Sequence, residues 1–302
     1  MQISAAIGCS SVIAAHPSQL PTSRFPLRPR DRIAVTSWQF REYIDSPTNR
    51  RRNPRVRGMD LTEFPALVAK KFKVFNVNPL ADHLRSTDSK YLDSFREATA
   101  KAHSHIVGLG LGGRNFCSSD PEARDSAINF GRMWIDKACI IGSPSVRLHL
   151  RLQHGQRPRS APAVRNLGRL AEYGAKRNIV INLENDNPIA EDPFFIVDVV
   201  EKVGSPYLRA LPDFGNSLTG HDREYNQRAI AAMFPHAWNM CHVKGAVQSD
   251  RGKVHTVDLR KMFEMAKASA YAGYFSMEFD LPSRDPFEGT RKLIRETLQY
   301  LT

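Results

Sequence analysis

The chain alternates regularly between short apolar runs and amphipathic segments, and this alternation constrains the fold more than any other feature. Eight runs have the length and composition of buried β-strands, and successive runs start about 30 to 40 residues apart. The runs are RIAVTSW (32–38), KVFNVN (73–78), HIVGLGL (105–111), SVRLHL (145–150), NIVINLE (178–184), YLRALPD (207–213), NMCHVK (239–244) and YFSMEF (274–279). Each interval therefore has room for one helix and two loops.

Helices are predicted between these strands. Residues 90–103 carry apolar side chains at helical spacing. Three further helices are marked at their start, where Asp120, Asp192 and Asp285 each precede a proline. The aspartate can accept hydrogen bonds from free backbone N–H groups, and a proline at the first helical position gives up no bond. The helix after Asp285 is PFEGTRKLIRETLQYL (286–301), and a further helix is predicted before it over DLRKMFEMAKASAYAGY (258–274).

Strand and helix units repeated eight times predict one parallel (β/α)8 barrel, with the strands inside and the helices outside. We expect it to span residues 31–302. The alternative fold is an open, doubly wound sheet, which would carry a phosphate-binding glycine turn after an early strand. The only candidate turn is GLGLGG (108–113), and its spacing is not G-x-G-x-x-G. The sequence therefore favours the barrel.

The first 30 residues are predicted to lie outside the barrel, as a disordered tail or the remnant of an export leader. Residues 3–15 are mostly small or apolar, and Ile13-Ala14-Ala15 fits a cleavage site, but the preceding positive segment is missing. We expect a cytoplasmic protein, or an exported one if residues 1–15 are a leader remnant. No apolar run reaches membrane-spanning length. The four cysteines are scattered, which argues against a disulfide framework.

The formal charge of +12 raises the question of nucleic-acid binding. The excess is concentrated in two stretches: residues 21–60 hold ten arginines against four acids, and residues 151–170 hold five arginines and no acid. Both stretches also contain proline or glycine, so we interpret them as loops with solvated or anion-facing surfaces. The basic segment 39–59 contains no recognisable motif. No nucleic-acid partner is expected, and a homo-oligomer stays open.

Four consecutive strands end in potential metal ligands. The fifth ends in Glu184, the sixth in Asp213, the seventh passes through His242, and the eighth reaches Glu278. In a barrel the carboxyl ends of all strands meet at one face, where the active site lies. Each residue alone could be a solvated polar group at a strand end. Together, however, four such groups converging in a narrow barrel would be costly without a cation.

The composition of this set predicts the type of ion. Three carboxylates and one imidazole suit a divalent cation, with Mn²⁺ as the first expectation and Mg²⁺, Co²⁺ and Zn²⁺ as alternatives. Four protein ligands also leave coordination positions open for substrate oxygens. We therefore expect one divalent metal ion as cofactor.

The strand-end motifs INLEND, LPDFGNS, CHVKG and SMEFD resemble, in this order, those of the xylose isomerase-like TIM-barrel superfamily. GSPSVRLHL (142–150) is similar to the fourth strand of that group, and the resemblance covers residues 31–301. The superfamily includes sugar isomerases and epimerases of the ketose 3-epimerase and hydroxypyruvate isomerase type, and also endonuclease IV. Each motif is short, so the specificity lies in their order and spacing.

The resemblance implies a metal-dependent sugar isomerase or epimerase. Glu184, Asp213, His242 and Glu278 match the single-metal ligands of the family, and the two glutamates match its acid/base pair. Such an enzyme removes a proton next to a carbonyl of a small sugar or keto-sugar and passes through a metal-bound enediolate. A lyase or dehydratase acting on a keto-sugar would use the same first step and stays an alternative, as does a non-catalytic partner subunit.

Departures from the family motifs narrow these alternatives. An endonuclease IV-like phosphodiesterase holds three metals and needs histidine ligands after the second and third strands, where this chain has none; His83 falls in the next loop. The sixth-strand motif ends in Asn216 where relatives have histidine, which puts one substrate contact in doubt. Gly245 replaces an acid that follows the lysine in many relatives. A phosphodiesterase is therefore the weaker alternative.

Five more residues are candidates for substrate binding besides Asn216. Arg147 and His149 alternate on the fourth strand, and Arg147 would hold a carboxylate or phosphate, or else form a buried ion pair. Asn182 precedes the fifth strand's glutamate on the same face and would bind substrate or orient that glutamate. Trp38 would stack on a sugar or close the barrel mouth. Lys244 would stabilise an oxyanion or neutralise the carboxylates. The identity of the sugar is not readable.

Overall fold

The structure is a computed structural model that describes residues 21, 24–152, 155–281 and 284–301. Its strands are β1 (Ile33–Thr36), β2 (Asn76–Asn78), β3 (His105–Ile106), β4 (Leu109–Arg114), β5 (Ser145–Leu150), β6 (Val180–Glu184), β7 (Leu208–Leu211), β8 (Met240–Val243), β9 (Ala246–Gln248), β10 (Val254–Thr256) and β11 (Tyr274–Met277). Its helices are α1 (Phe64–Phe72), α2 (Ser89–Lys101), α3 (Pro121–Ile141), α4 (Ser160–Arg177), α5 (Pro193–Val203), α6 (Arg223–Met233), α7 (Leu259–Ala268) and α8 (Pro286–Leu301).

The strands form two parallel sheets that close on each other. One sheet has the order β3-β2-β1-β11-β8 and the other the order β4-β5-β6-β7. Single bridges between Leu80 and Gly110 and between Asp213 and His242 join them at the two seams. β9 and β10 form a separate antiparallel hairpin beyond β8. The predicted (β/α)8 barrel is confirmed.

The third barrel position differs from the prediction of one strand over 105–111. Two strands share it, because β3 ends at Ile106, pairing only with β2, whereas β4 pairs with β5. Between them, the carbonyl of Gly108 accepts a hydrogen bond from Asn78 Nδ2 at 2.7 Å. β4 then extends to Arg114, with a register shift between Gly110 and Gly113. The chain therefore changes partner inside the apolar run, which periodicity alone does not reveal.

The predicted helix starts are confirmed by their capping bonds. Asp120 accepts a hydrogen bond from the backbone N–H of Ala123 at 2.8 Å, and Asp192 accepts one from that of Phe195 at 2.9 Å. Asp285 caps α8 by accepting a hydrogen bond from the backbone N–H of Phe287 at 2.9 Å. The helix predicted over 258–274 is shorter and ends at Ala268. It stops there because Ala270 adopts a left-handed φ of 51°, which turns the chain into β11.

Most of the predicted tail lies outside the described residues, but its described part contacts the barrel. Phe25 packs edge-on against Trp238 and Tyr274, with ring centroids 5.8 and 5.9 Å apart. Within the described ranges no helix combines the length and apolarity needed to cross a membrane. Cys117, Cys139 and Cys241 are free thiols, and Cys9 lies outside the described residues.

Candidate metal centre and active site

The four predicted ligands meet at the carboxyl end of the barrel. Glu184 ends β6, Asp213 follows β7, His242 lies in β8 and Glu278 follows β11. All four side chains are buried, and one ligand atom of each lies within 4.8 Å of the others. Because the strands are parallel, residues far apart in sequence arrive at the same level. The chain thus holds a buried cluster of carboxylates and an imidazole that can bind a divalent metal.

The imidazole of His242 is oriented for this role by a residue that the sequence reasoning missed. Its Nε2 lies 3.0 Å from Asn78 Oδ1, while Asn78 Nδ2 donates to a backbone carbonyl. The amide oxygen therefore faces the ring, so Nε2–H donates and the Nδ1 lone pair is left for a cation. Nδ1 lies 2.6 Å from Glu184 Oε1 and 3.3 Å from Glu278 Oε2.

Asp213 gives the most direct test of whether a cation fits. Its Oδ1 accepts hydrogen bonds from the backbone N–H groups of Gly215 and Asn216, at 2.9 and 2.8 Å. Its Oδ2 is buried and accepts no hydrogen bond among the described residues. Asn185 fixes this segment further, because its amide bonds both the N–H and the carbonyl of Asp213. Lys244 Nζ lies 3.5 Å from Oδ2, an ion pair without a hydrogen bond. A buried, rigidly held carboxylate oxygen that accepts no hydrogen bond can bind a metal ion.

The electrostatics of the cluster also favour a cation. Burial raises the pKa of Asp213 to about 7, and the neighbouring Glu184 and Glu278 add to this rise while Lys244 opposes it. Burial acts against the charged form of His242, but the carboxylates of Glu184 and Glu278 hold its pKa above the usual value. The carboxylates thus favour a positive charge at the position of His242, and a divalent ion bound to the cluster would supply positive charge there.

Each glutamate has one oxygen towards His242 and the other towards a cationic side chain. Glu184 Oε2 lies 3.1 Å from Arg147 Nε, and Glu278 Oε1 lies 3.0 Å from Lys244 Nζ. Burial would raise the pKa of Glu184, but His242 and Arg147 hold it below its ordinary value. Lys244 Nζ also donates to Asn216 Oδ1 at 2.6 Å. These contacts fix both carboxylates in place.

A cavity of about 680 Å³ opens directly onto the cluster. Of the predicted site residues, its lining includes both glutamates and five others: Trp38, Arg147, His149, Asn216 and Lys244. Asn182 does not line it. This side chain is completely buried, and its Nδ2 donates to Asn239 Oδ1 at 2.9 Å. Asn182 therefore belongs to a polar layer inside the barrel beneath the cavity.

Trp38 lies in a 3-10 turn (Trp38–Phe40) that follows β1, not in the strand that the sequence predicted to reach it. β1 ends at Thr36, and the 3-10 turn aims the indole into the cavity mouth. The indole Nε1 donates to Asp280 Oδ1 at 3.0 Å. The guanidinium of Arg41 stacks 4.3 Å above the ring and pairs with the same carboxylate at 3.3 Å. The ring is therefore rigidly held where a substrate would pass.

Glu191 is a second residue that the sequence reasoning missed. Its Oε1 accepts from the backbone N–H of Leu150 at 2.6 Å and lies 2.9 Å from His149 Nδ1. Its Oε2 accepts from the N–H of Asn187 at 3.0 Å. With His149 and Asp186 it forms a second group of potential metal ligands. Since both of its oxygens are engaged, Glu191 serves as a brace between β5 and the loop after β6.

His83 belongs to neither of the two ligand groups found among the described residues. It lies in a short 3-10 turn (Ala81–His83), where its Nδ1 pairs with Ser37 Oγ at 2.8 Å. β2 instead ends in Asn78, the partner of the metal-site imidazole. A third metal, as in the phosphodiesterase alternative, has no histidine ligand at this position.

The fold and the cluster together define a (β/α)8 barrel protein with a carboxylate-rich cluster, able to bind a metal, at the carboxyl ends of its strands. The chain belongs to the family described as the xylose isomerase-like TIM barrel, whose sequence model matches residues 64–302. No curated protein sequence matches the chain.

Solved structures with the same fold extend over nearly the whole chain. A xylose isomerase-like TIM barrel protein from Mycobacterium smegmatis in complex with magnesium has a TM-score of 0.67 at 16% identity, covering 89% of this chain and 96% of its own. D-psicose 3-epimerase from Clostridium cellulolyticum H10, with D-tagatose, has 0.66 at 14%, covering 89% and 96%. The 3-keto-D-glucoside 4-epimerase from E. coli has 0.63 at 15%, covering 89% and 99%. At these identities the likeness shows the fold.

Proposed function

We propose that this protein is a divalent-metal-dependent isomerase or epimerase of small sugars, in which Glu184 and Glu278 transfer the proton. The observation that carries the proposal is the buried cluster of three carboxylates and one imidazole at the floor of the cavity. A volume of about 680 Å³ suits a small molecule. Structural relatives named as D-psicose and L-ribulose 3-epimerases support a sugar as substrate.

Glu184, Asp213, His242 and Glu278 would hold the ion. The hard oxygen ligands favour Mn²⁺ or Mg²⁺, and the magnesium complex of a structural relative is consistent with either. When bound, a divalent cation supplies Lewis acidity: it polarises a substrate carbonyl and thereby acidifies the neighbouring C–H group.

Glu184 and Glu278 would act on opposite faces of a substrate. In support of this, β6 and β11 lie on the two sides of β7 and β8 in the closed barrel, so the two carboxylates come from different strands on either side of His242. Glu184, whose pKa is held below its ordinary value, is ionised and can accept the proton from carbon. Glu278, entering the reaction protonated, would return a proton on the other face, and exchange of both glutamates with solvent would restore the starting state. The result is inversion at one carbon, or migration of the carbonyl.

The remaining cavity residues orient the sugar. The indole of Trp38 would offer an apolar face to a sugar ring, and the ammonium of Lys244, which also lines the cavity, would stabilise negative charge that develops on oxygen. Asn216 replaces the histidine of relatives and presents its amide to the cavity while accepting from Lys244. Arg147 and His149 form the wall along β5. Asn182 supports the floor through Asn239, without contacting substrate.

The test is solvent deuterium incorporation. Manganese-loaded protein in D₂O should place deuterium at one carbon of a ketose or 3-keto-sugar, as seen by NMR, and protein dialysed against EDTA should not. Deuterium incorporation with no elimination product favours an isomerase or epimerase, whereas elimination of water or another leaving group shows the lyase alternative. If no tested ketose or 3-keto-sugar exchanges its proton, the proposal fails.

A further inference from the structure

Strand β4 has a glycine at each of the two places where an arginine side chain crosses it. A Cβ atom at Gly113 would lie 2.3 Å from Arg151 Cγ, and one at Gly110 would lie 2.8 Å from Arg147 Nη2. Neither glycine has a positive φ, so backbone conformation does not require them. Gly113 instead makes room for the side chain of Arg151, and Gly110 makes room for those of Leu80 and Arg147. Both arginines line the cavity. Side-chain packing therefore explains two glycines of the GLGLGG segment, without a dinucleotide-binding turn.

Arg147 is the buried member of this pair and is only 6% exposed. Its Nη1 donates to the carbonyl of Leu111 at 3.4 Å and contacts His149 Nε2, while Glu191 braces that imidazole from its far side. Its Nε–H has no hydrogen-bond acceptor among the described residues, although Glu184 Oε2 lies 3.1 Å from the nitrogen. A guanidinium is thus held at the cavity wall with an unused donor.

Two exposed arginines extend this wall to the cavity rim. Arg151 follows β5, and Arg51 comes from the loop after β1. Neither side chain forms an ion pair with any described residue. Two other arginines of the loop after β1 do form ion pairs: Arg52 with Asp45 at 2.5 Å, and Arg41 with Asp280 at 3.3 Å. The loop therefore uses two arginines internally and leaves Arg51 available to a ligand.

The backbone of Arg51 is fixed by its own loop. The buried side chain of Asn49 donates to the carbonyls of Arg41 and Ile44, both at 2.7 Å, and accepts from the backbone N–H of Arg51 at 3.1 Å. The loop is further anchored by Ser46 Oγ, which donates to the carbonyl of Asp82 at 2.7 Å. Preorganisation of this kind lowers the entropic cost of binding.

We propose that Arg51 and Arg151 at the cavity rim, continued towards the metal site by Arg147, form an anion cradle that selects substrates with a carboxylate or phosphate group at the end away from the metal site. Guanidinium groups match the oxygens of both anions with paired, charge-assisted hydrogen bonds. The cradle assigns a chemical class to the substrate, namely an acidic or phosphorylated ketose, and so rests on the proposed function. It also accounts for the basic segment 39–59, which carries no recognisable motif.

The experiment compares three probes that differ only at C6: D-fructose, D-fructose 6-phosphate and D-fructuronate. Binding to magnesium-loaded protein is measured by isothermal titration calorimetry. At least one anionic probe should bind about tenfold or more tightly than D-fructose, since a hydrogen bond to a charged group commonly contributes that much. Arg51→Gln with Arg151→Gln should abolish the preference. Arg55→Gln with Arg157→Gln, exposed arginines of the same loops outside the cavity lining, should retain it.

The outcomes separate the two proposals. Whichever anionic probe gains affinity identifies the group, phosphate or carboxylate, for which the cradle is built. No gain from either anion, or a gain that survives Arg51→Gln with Arg151→Gln, overturns the cradle. Deuterium incorporation is measured in parallel on the same probes. Exchange without an anion preference supports the proposed function alone, and an arginine-dependent preference without exchange on any ketose supports the cradle alone.

Discussion

Replacing Glu191 by Gln should destabilise the protein although Glu191 is not a proposed catalytic group. The side chain is 3% exposed and its two oxygens accept from the backbone N–H groups of Leu150 and Asn187, at 2.6 and 3.0 Å. An amide has only one acceptor oxygen, so in either orientation its NH₂ group would face one of these N–H donors. Either the buried N–H of Leu150 or the part-buried N–H of Asn187 then loses its partner, and the surviving hydrogen bond loses its charge.

The expected cost follows from these two losses. A buried donor left unsatisfied costs about 1–3 kcal/mol, and a hydrogen bond to a charged group contributes about 1 kcal/mol more than a neutral one. We therefore expect a loss of about 2–4 kcal/mol in the free energy of unfolding. The loss should be concentrated where the brace acts, at the end of β5 and in the loop after β6.

Two assays measure this effect. Urea denaturation gives the change in unfolding free energy, and hydrogen exchange reports whether the amides of Leu150 and Asn187 lose protection. Glu201→Gln is the matched control, because Glu201 is exposed and forms a surface pair with His236 at 3.3 Å. It should change stability by less than about 0.5 kcal/mol. If Glu191→Gln unfolds like Glu201→Gln and both amides keep their protection, the assignment of Glu191 as a brace is wrong.

Three further predictions concern the site and its surroundings. Glu184→Gln and Glu278→Gln should each lower turnover by about 10²–10⁴-fold with an unchanged circular dichroism spectrum; wild-type rates would rule out their acid/base role. His242→Ala should lower the metal content after dialysis, and unchanged content would exclude it as a ligand. Burial lowers the pKa of His83 to about 3, so its contribution to stability is lost as pH falls below about 6.5. His83→Gln should gain about 2 kcal/mol relative to wild type between pH 7 and pH 5 in urea unfolding; a constant difference would contradict this.

The four ligands could be predicted from the sequence because the barrel makes their positions regular. Once the apolar runs are taken as parallel strands, the residues at their carboxyl ends must share one face. No knowledge of side-chain contacts was needed to predict a cluster of Glu184, Asp213, His242 and Glu278. The same regularity gave the bounds of β5 without error, since its alternating pattern is bordered by clear turn residues.

The residues that support the ligands could not be predicted in this way. Asn78 bonds His242 across 164 positions of sequence, and it ends a three-residue strand whose polar ends give no distinctive pattern. Glu191 lies in an acidic loop next to an N-cap, where a solvated role is the ordinary expectation. Each role depends on tertiary placement of a partner backbone or ring. The division of the third barrel position between β3 and β4 was hidden for the same reason.

The most direct test of the central claim is the number of metal ions per chain. The purified protein is equilibrated with MnCl₂, freed of unbound metal by gel filtration, and analysed by inductively coupled plasma mass spectrometry. We expect one divalent ion per chain, and its loss in the Asp213→Asn variant, which keeps the shape of the side chain but not its charge. A wild-type protein that retains no metal would contradict the metal site, and one that retains three would point to the phosphodiesterase alternative.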